Sequence, residues 1–302
     1  MSQQETDTLL LGGFDFDDDD FVTKEKTKIN IAQVDYSAKL ETDGWFHDHE
    51  KTVDELMLEQ HGPNQIRNAI EHDYFYKRYD KALTLALGFI RVAQTNKQCK
   101  VSGTKEMTDI AMHCAAKLNR LDVLEDLLDN KTHVQDTGLF LVRGKFYPMI
   151  GKYSEAMEAY VQYQRERKLD YRVWSGMAQV FMLSATRRPA ENEMRYHLAN
   201  LSMQRAIHIF TNSRWNKRID FVQARFQRDL ATLETRLKET QQYGGQADKF
   251  IEWMNSRETE DKQQAGGLEE FHWDDIMWIY KDWVLRQDLD LADHDIKAVK
   301  DL

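Results

Sequence analysis

Proline is nearly missing from this chain of 302 residues, with only Pro63, Pro148 and Pro189. Proline removes a backbone donor and clashes with the preceding turn, so its scarcity permits long helices. Cysteine is scarcer still: Cys99 and Cys114 are too few for a disulfide framework or a four-ligand zinc site. No run of about 18 uncharged apolar residues occurs, which argues against a membrane span. The opening residues, MSQQETDTLLLGG, lack a basic segment and carry Glu5 and Asp7, so a secretory leader is not expected. Without secretion, the glycosylation-like triplets at Asn130 and Asn200 carry no weight. The expected compartment is cytosol or nucleus.

Signatures of chemistry are missing too. There is no GxSxG, no HExxH and no glycine-rich dinucleotide fingerprint. Asp15, Asp17 and Asp19 alternate as in a calcium loop, but Asp20 stands where that loop needs glycine and Lys26 where it needs a bidentate Glu. The segment Trp45-Phe46-His47-Asp48-His49-Glu50 offers two imidazoles. Side chains two apart diverge on a helix, however, and a surface segment is the expectation. Gly138 and Gly144-Lys145 are one residue too far apart for a phosphate loop, and Phe146 replaces its Ser/Thr. Cys114 falls on an apolar helical face, as a packing thiol does. No catalytic, metal or cofactor site is expected, and no enzyme.

What is present points to a folded chain. Aromatic residues make up 11%, including seven Trp, which a wholly disordered chain would lack. The net charge of −10 is uneven: residues 1–60 sum to −11 and 239–302 to −9, against +4 for 61–186 and +6 for 187–238. The segment FDFDDDDF, from Phe14 to Phe21, packs five aspartates into eight residues and resists compaction. Residues 1–34 therefore read as an acidic flexible arm and 35–62 as an extension anchored by Trp45, Phe46, Val53, Leu56 and Met57.

From Pro63 the apolar spacing turns helical. Ile66, Ala69, Ile70 and Tyr74 form one stripe, then Tyr79, Ala82, Leu83, Ala86, Leu87 and Ile90 a second. The pattern recurs at Ile110–Leu118 with Leu121–Leu128, and at Phe140–Tyr147 with Tyr153–Tyr160. Three breaks align as KRYDKAL, NRLDVLE and GKYSEAM, whose anchors Tyr79, Leu121 and Tyr153 are 42 and 32 residues apart. Small residues such as Gly144 and Ala156 would let paired helices nest, with aromatics filling the gaps. Pro148 interrupts the first helix of the third pair and is expected to kink or shorten it. Trp174, Ala178 and Phe181 begin a fourth unit. Pro189 is expected to open a longer helix, and Ile219, Val222, Phe226, Leu230, Leu233 and Leu237 stripe the next. That stripe fits packing on the preceding hairpin or a coiled-coil seam. Residues 63–243 thus form a helical repeat domain. A polar linker, 244–267, holds a short helix near Phe250–Met254 at most, and an aromatic C-terminal helix with its tail, 268–302, follows.

Residues 140–160, FLVRGKFYPMIGKYSEAMEAY, resemble a tetratricopeptide (TPR) repeat, whose paired helices recur near every 34 residues. Both ends are also similar to an uncharacterised eukaryotic family that carries a human chromosome 8 open reading frame label. That similarity rests on LLLGGFDFDDDDF, DYSAKLETDGWF and EEFHWDDIMWIYKDW. The resemblance implies an all-α fold of antiparallel hairpins stacked as an α-solenoid, acting as an adaptor. It supplies no catalytic residues. First helices of a TPR array line a concave groove, which here implies Asn64, Arg67, Glu71, Tyr74, Asp109, His113, Lys117, Leu141, Lys145, Arg172 and Gln179. Glu71 and Ile110 stand where chaperone-tail readers need asparagine, against a cochaperone role.

The leading expectation is a non-catalytic scaffold whose partly basic groove receives an acidic peptide, with Phe14, Phe16 and Phe21 as a docking arm in cis or in trans. A second reading is nucleic-acid binding through residues 187–238. It would use Arg187, Arg188, Arg195, Arg214, Lys217, Arg218, Arg225 and Arg228 for phosphates and Trp215 for stacking. A third is a subunit of a larger complex docked by Phe271, Trp273, Trp278 and Trp283.

Overall fold

A computed structural model of the chain describes residues 43–48, 50–101, 103–129, 137–189, 192–256 and 262–284. The expected arm, with Phe14, Phe16 and Phe21, lies outside the described residues, as does the side chain of Trp283. Among the described residues all regular structure is helical and there is no strand. No described helix is long and apolar enough to cross a membrane.

A short helix α1 (Val53–Leu56) opens with a capping box, in which Thr52 and Glu55 satisfy each other's backbone N–H groups. It leads through Gly62 into α2 (Gly62–Phe75), with Pro63 in the first turn, where its missing N–H costs nothing. A Cβ on Gly62 would lie 1.7 Å from the Leu56 carbonyl oxygen, so only glycine admits this close return of the chain. Then come α3 (Tyr79–Thr95), α4 (Lys105–Lys117), α5 (Leu121–Asp129) and α6 (Thr137–Phe146), the last continued by a 3₁₀ turn at Tyr147–Ile150. Pro148 therefore shortens α6 rather than kinking it. Next follow α7 (Tyr153–Glu166), α8 (Tyr171–Arg187), α9 (Glu193–Asn212) and α10 (Asp220–Gln242). Pro189 does not open α9, which starts four residues later at Glu193.

The three aligned breaks share one backbone device. Lys77, Asn119 and Gly151 all adopt left-handed φ, at 60°, 54° and 79°. Each is followed by an N–H that bonds five residues back: Arg78 to Asp73 (2.8 Å), Arg120 to Ala115 (2.9 Å) and Lys152 to Tyr147 (3.1 Å). This is the Schellman closure, which satisfies carbonyls left over at a helix end. Tyr79, Leu121 and Tyr153 then begin α3, α5 and α7. A lysine pays a steric cost in the left-handed region that glycine escapes. Lys77→Gly is expected to raise stability by about 0.5–1 kcal/mol in urea denaturation. A loss instead would mean that the lysine side chain contributes more than its strained backbone costs.

Each of α2/α3, α4/α5, α6/α7 and α8/α9 is a packed pair of neighbouring helices. In addition α2 touches α4, α4 touches α6, and α6 touches α8. The closest join is made by Tyr160 of α7, whose ring lies between Gly144 of α6 and Gly176 of α8. Its phenol is pushed well above the ordinary range by burial. Leu56, Phe89, Met112 and Leu128 belong to one apolar core, and Val161, Trp174, Phe181 and Phe210 to a second. Phe226 and Leu233 of α10 are buried with that second core, and α10 lies on α9, so the stripe is a packing face. Trp45 is no anchor: it is 82% exposed, whereas Leu56 and Met57 are buried.

The segment 244–267 is not a free linker. It carries α11 (Ala247–Asn255), packed on α9 through the fully buried Phe250, and the single turn α12 (Lys262–Ala265). Asn200 ties the junction. Its Nδ2 donates to Thr240 Oγ1 (2.9 Å), and its Oδ1 accepts from the Ala247 N–H (3.2 Å). That burial gives Asn200 a structural task unrelated to glycosylation. The last described helix, α13 (Trp273–Val284), folds back onto the second core, with Ile276 and Ile279 fully buried. Two buried arginines of α9 face this region, Arg195 toward Glu270 (3.9 Å) and Arg205 toward Asp282 (3.6 Å).

Candidate functional site

The first helices of the pairs present their polar faces side by side. Arg67 of α2 approaches Glu106 of α4 at 3.7 Å. Further along, the Tyr74 ring meets His113 edge-on at 6.4 Å, and His113 meets Phe146 of α6 at 4.9 Å. Asp109 lies one turn before His113 with 3.5 Å between carboxylate and imidazole. Burial lowers the His113 pKa and the Lys145 cation adds to that, while Asp109 partly offsets both. Burial likewise raises Asp109 against the pull of His113 and Lys145. Neighbouring Cys114 is fully buried and its thiol is pushed up to about 12, which keeps it protonated and unreactive.

The sign for stability follows. A histidine with a lowered folded pKa binds its proton more readily when unfolded, so stability falls as pH drops below the ordinary 6.5. Asp109, raised, acts oppositely and nearer its ordinary 3.8. Between about pH 8 and about pH 5, His113→Gln should therefore lose less stability than the natural protein, read as the urea midpoint at each pH. Equal losses would contradict the burial of His113.

Beyond Lys145 the face deepens into a groove of about 470 Å³ between α6, α8 and α10. Leu141, Lys145, Arg172 and Gln179 line it, as expected from sequence, with Tyr160, Ser175 and Gly176 also in its wall. The opposite wall was not foreseen: Asp229, Thr232, Leu233 and Arg236 of α10. Arg236 reaches across and donates to Ser175 Oγ at 2.8 Å. The spacing of 229, 232 and 236 marks one helical face and was the available signal. A second hollow of about 180 Å³ continues along Ala178, Met182, Met203 and Glu239. At the mouth, Asp170 caps α8 by accepting from the Arg172 N–H, and it takes Arg172 Nε and Nη2 at 2.9 and 2.7 Å. Burial alone would raise Asp170, but those bonds from Arg172 hold it below the ordinary carboxylate value.

Comparison with protein-family models, curated proteins and solved structures gives no match. The reading of the site therefore rests on its geometry.

The other residues expected in the groove do not line the hollow between α6, α8 and α10. Asn64 lines a separate hollow with Leu58, Gln60, Gln98 and Lys100. Glu71 and Lys117 are exposed on α2 and α4. The proposed nucleic-acid face is depleted: Arg195 is fully buried, and Trp215 is held against Phe210 and Phe226 while its Nε1 donates to the Phe210 carbonyl (2.9 Å). Arg225 and Arg228 both turn to Asp229, and Lys217 caps the Phe226 ring at 3.9 Å. Arg187 lies over Tyr153. The described members of the C-terminal docking set are likewise engaged within the chain. Phe271 is buried against Phe181, Trp278 stacks on Trp174 at 5.9 Å, and Trp273 packs against the second core.

His47 is not on the surface, its side chain being 8% exposed. His47, His72 and Asp73 each bring a ligand atom within 4.8 Å of the others, a spacing a metal could use. Arg78 already stands there. Its Nη2 donates to His72 Nδ1 (2.7 Å), its Nε faces Asp73 Oδ1 (2.8 Å), and its Nη1 donates to Asp43 (2.7 Å). With His72 Nδ1 and Asp73 Oδ1 already engaged by that guanidinium, the ligand atoms a metal would need are taken. The cluster is an arginine-centred clamp that pins residues 43–47 to α2.

Proposed function

We propose that the chain is a non-catalytic scaffold, its helix pairs stacked as a TPR-like α-solenoid whose groove binds an extended segment of a protein partner. One observation carries this reading: the groove between α6, α8 and α10 is open, long and lined by mixed polar and apolar side chains. Peptide recognition needs those properties, with anchors for side chains and donors for the backbone. Lys145 and Arg236 are exposed cations on facing walls, which favours an acidic segment over a basic one. Docking through the C-terminal segment is less favoured because Phe271 and Trp278 are occupied within the chain.

A peptide library selected against the full chain tests this. Enriched peptides should be acidic, and Lys145→Glu or Arg236→Glu should weaken them about tenfold or more, with a steep salt dependence. Peptides indifferent to both reversals would refute the groove.

A further inference from the structure

Remote from the groove, a pocket of about 290 Å³ opens between the 43–53 segment and the α2/α3 pair. Its size is at the small end of the usual range for small-molecule sites, about 300–1,000 Å³. Phe46, Val53, Leu56, Ile66 and Leu85 give it apolar walls. Deep among them is Asp73, 1% exposed. Its Oδ1 is shared by Arg78 Nε and His47 Nε2, at 2.8 and 3.3 Å. Its Oδ2 is buried and has no hydrogen-bond partner among the described residues. A buried carboxylate oxygen left unpaired costs more than an ordinary missing hydrogen bond, so a donor arriving there would be bound strongly.

The charges around the rim select the sign of that donor. Asp43, Asp48 and Asp80 join Asp73 in the lining, against Lys51 and Lys81. Lys51 is already held by Glu59 at 2.7 Å, and Arg78 is divided between Asp43 and Asp73. Acidic side chains outnumber basic ones in the lining by four to two. A guanidinium is already in place on Oδ1, so the remaining single acceptor suits a compact ammonium with its three donors. The walls ask for hydrocarbon behind it, and Phe46 adds an aromatic ring to the lining. We propose that this pocket binds a primary alkylammonium group on an apolar stem, as a free small amine or as a lysine side chain of a partner.

Calorimetry on the full chain tests it with n-pentylamine as probe, and with n-pentanol and pentanoate as controls. The amine is expected to bind with Kd on the order of 1 mM, and both controls about tenfold more weakly or not at all. Asp73→Asn should abolish binding but also loosens the Arg78 clamp. Thr84→Lys avoids that difficulty, because Thr84 is exposed at the pocket's mouth and a lysine there supplies a competing tethered ammonium. It should reduce amine affinity about tenfold with the melting temperature unchanged. The capped tripeptide acetyl-Gly-Lys-Gly-amide separates the sources: binding as tight as the amine assigns a partner lysine, and weaker binding assigns a free amine. Equal binding of pentanol, or amine affinity untouched by Thr84→Lys and Asp73→Asn alike, overturns the proposal. Since the pocket and the groove share no residue, neither result bears on the peptide reading.

Discussion

Gly144→Ala is expected to destabilise the protein by about 1–3 kcal/mol, and Gly176→Ala by a similar or smaller amount. The added methyl at 144 would lie 2.5 Å from Cδ1 and Cε1 of Tyr160, and at 176 2.6 Å from its Cζ and Oη. Neither position tolerates that approach without displacing the ring, which is 6% exposed and held from both sides. The sign makes the test sharp. Alanine favours a helix interior over glycine by about 1 kcal/mol, so both changes would stabilise the chain if the helices did not close on Tyr160. The contact at 144 involves the middle of the ring, that at 176 its tip, which moves more easily; the first should cost more. Gly103→Ala is the control, because a Cβ there meets nothing within 4 Å. Chemical denaturation of the three variants decides the matter, and an increase in stability at 144 would remove the wedge from the account.

Trp174→Ala has the largest expected effect, a loss of about 3–5 kcal/mol. The indole is 1% exposed in α8. Trp278 of α13 stacks on it with an interplanar angle of 19°, and the Arg205 guanidinium lies 5.9 Å from its ring centre. Arg205 is 2% exposed and faces Asp282, so truncating the indole opens a cavity beneath a buried charge pair as well. Release of α13 should accompany the loss, seen as new proteolytic cleavage within 273–284 under native conditions. A change below about 1 kcal/mol with α13 still protected would mean that the C-terminal helix is held elsewhere.

The helices were legible because their signals are local. Stripes at steps of three and four placed the helix pairs, and the aligned breaks marked the starts of α3, α5 and α7. Of the three left-handed turn residues, Asn119 and Gly151 are of types that favour that conformation, whereas Lys77 is not, which is why the first turn was not readable as such. Long-range pairing was hidden. Nothing near His47 announces Asp73 or Arg78, which lie 26 and 31 residues onward and reach it only once α2 is folded. The same holds for the C-terminal aromatics. A stripe of Trp and Phe says that a helix must be covered, and the choice between a partner and the chain's own α8 depends on tertiary geometry. The α6 and α8 side of the groove, Leu141, Lys145, Arg172 and Gln179, was implied by the TPR resemblance, whereas its far wall on α10 comes from a helix that the resemblance does not cover. Composition misled at Arg195 and Trp215, where a basic and an aromatic residue that suggest nucleic acid are instead buried and partly buried packing partners.

The measurement closest to the central claim is hydrogen exchange of the full chain with and without a selected acidic peptide. Binding in the groove predicts new protection on α6, α8 and α10, around Lys145, Ser175 and Thr232, with α5, which gives the groove no residue, unchanged. Protection confined to other helices, or none at saturating peptide, would contradict it.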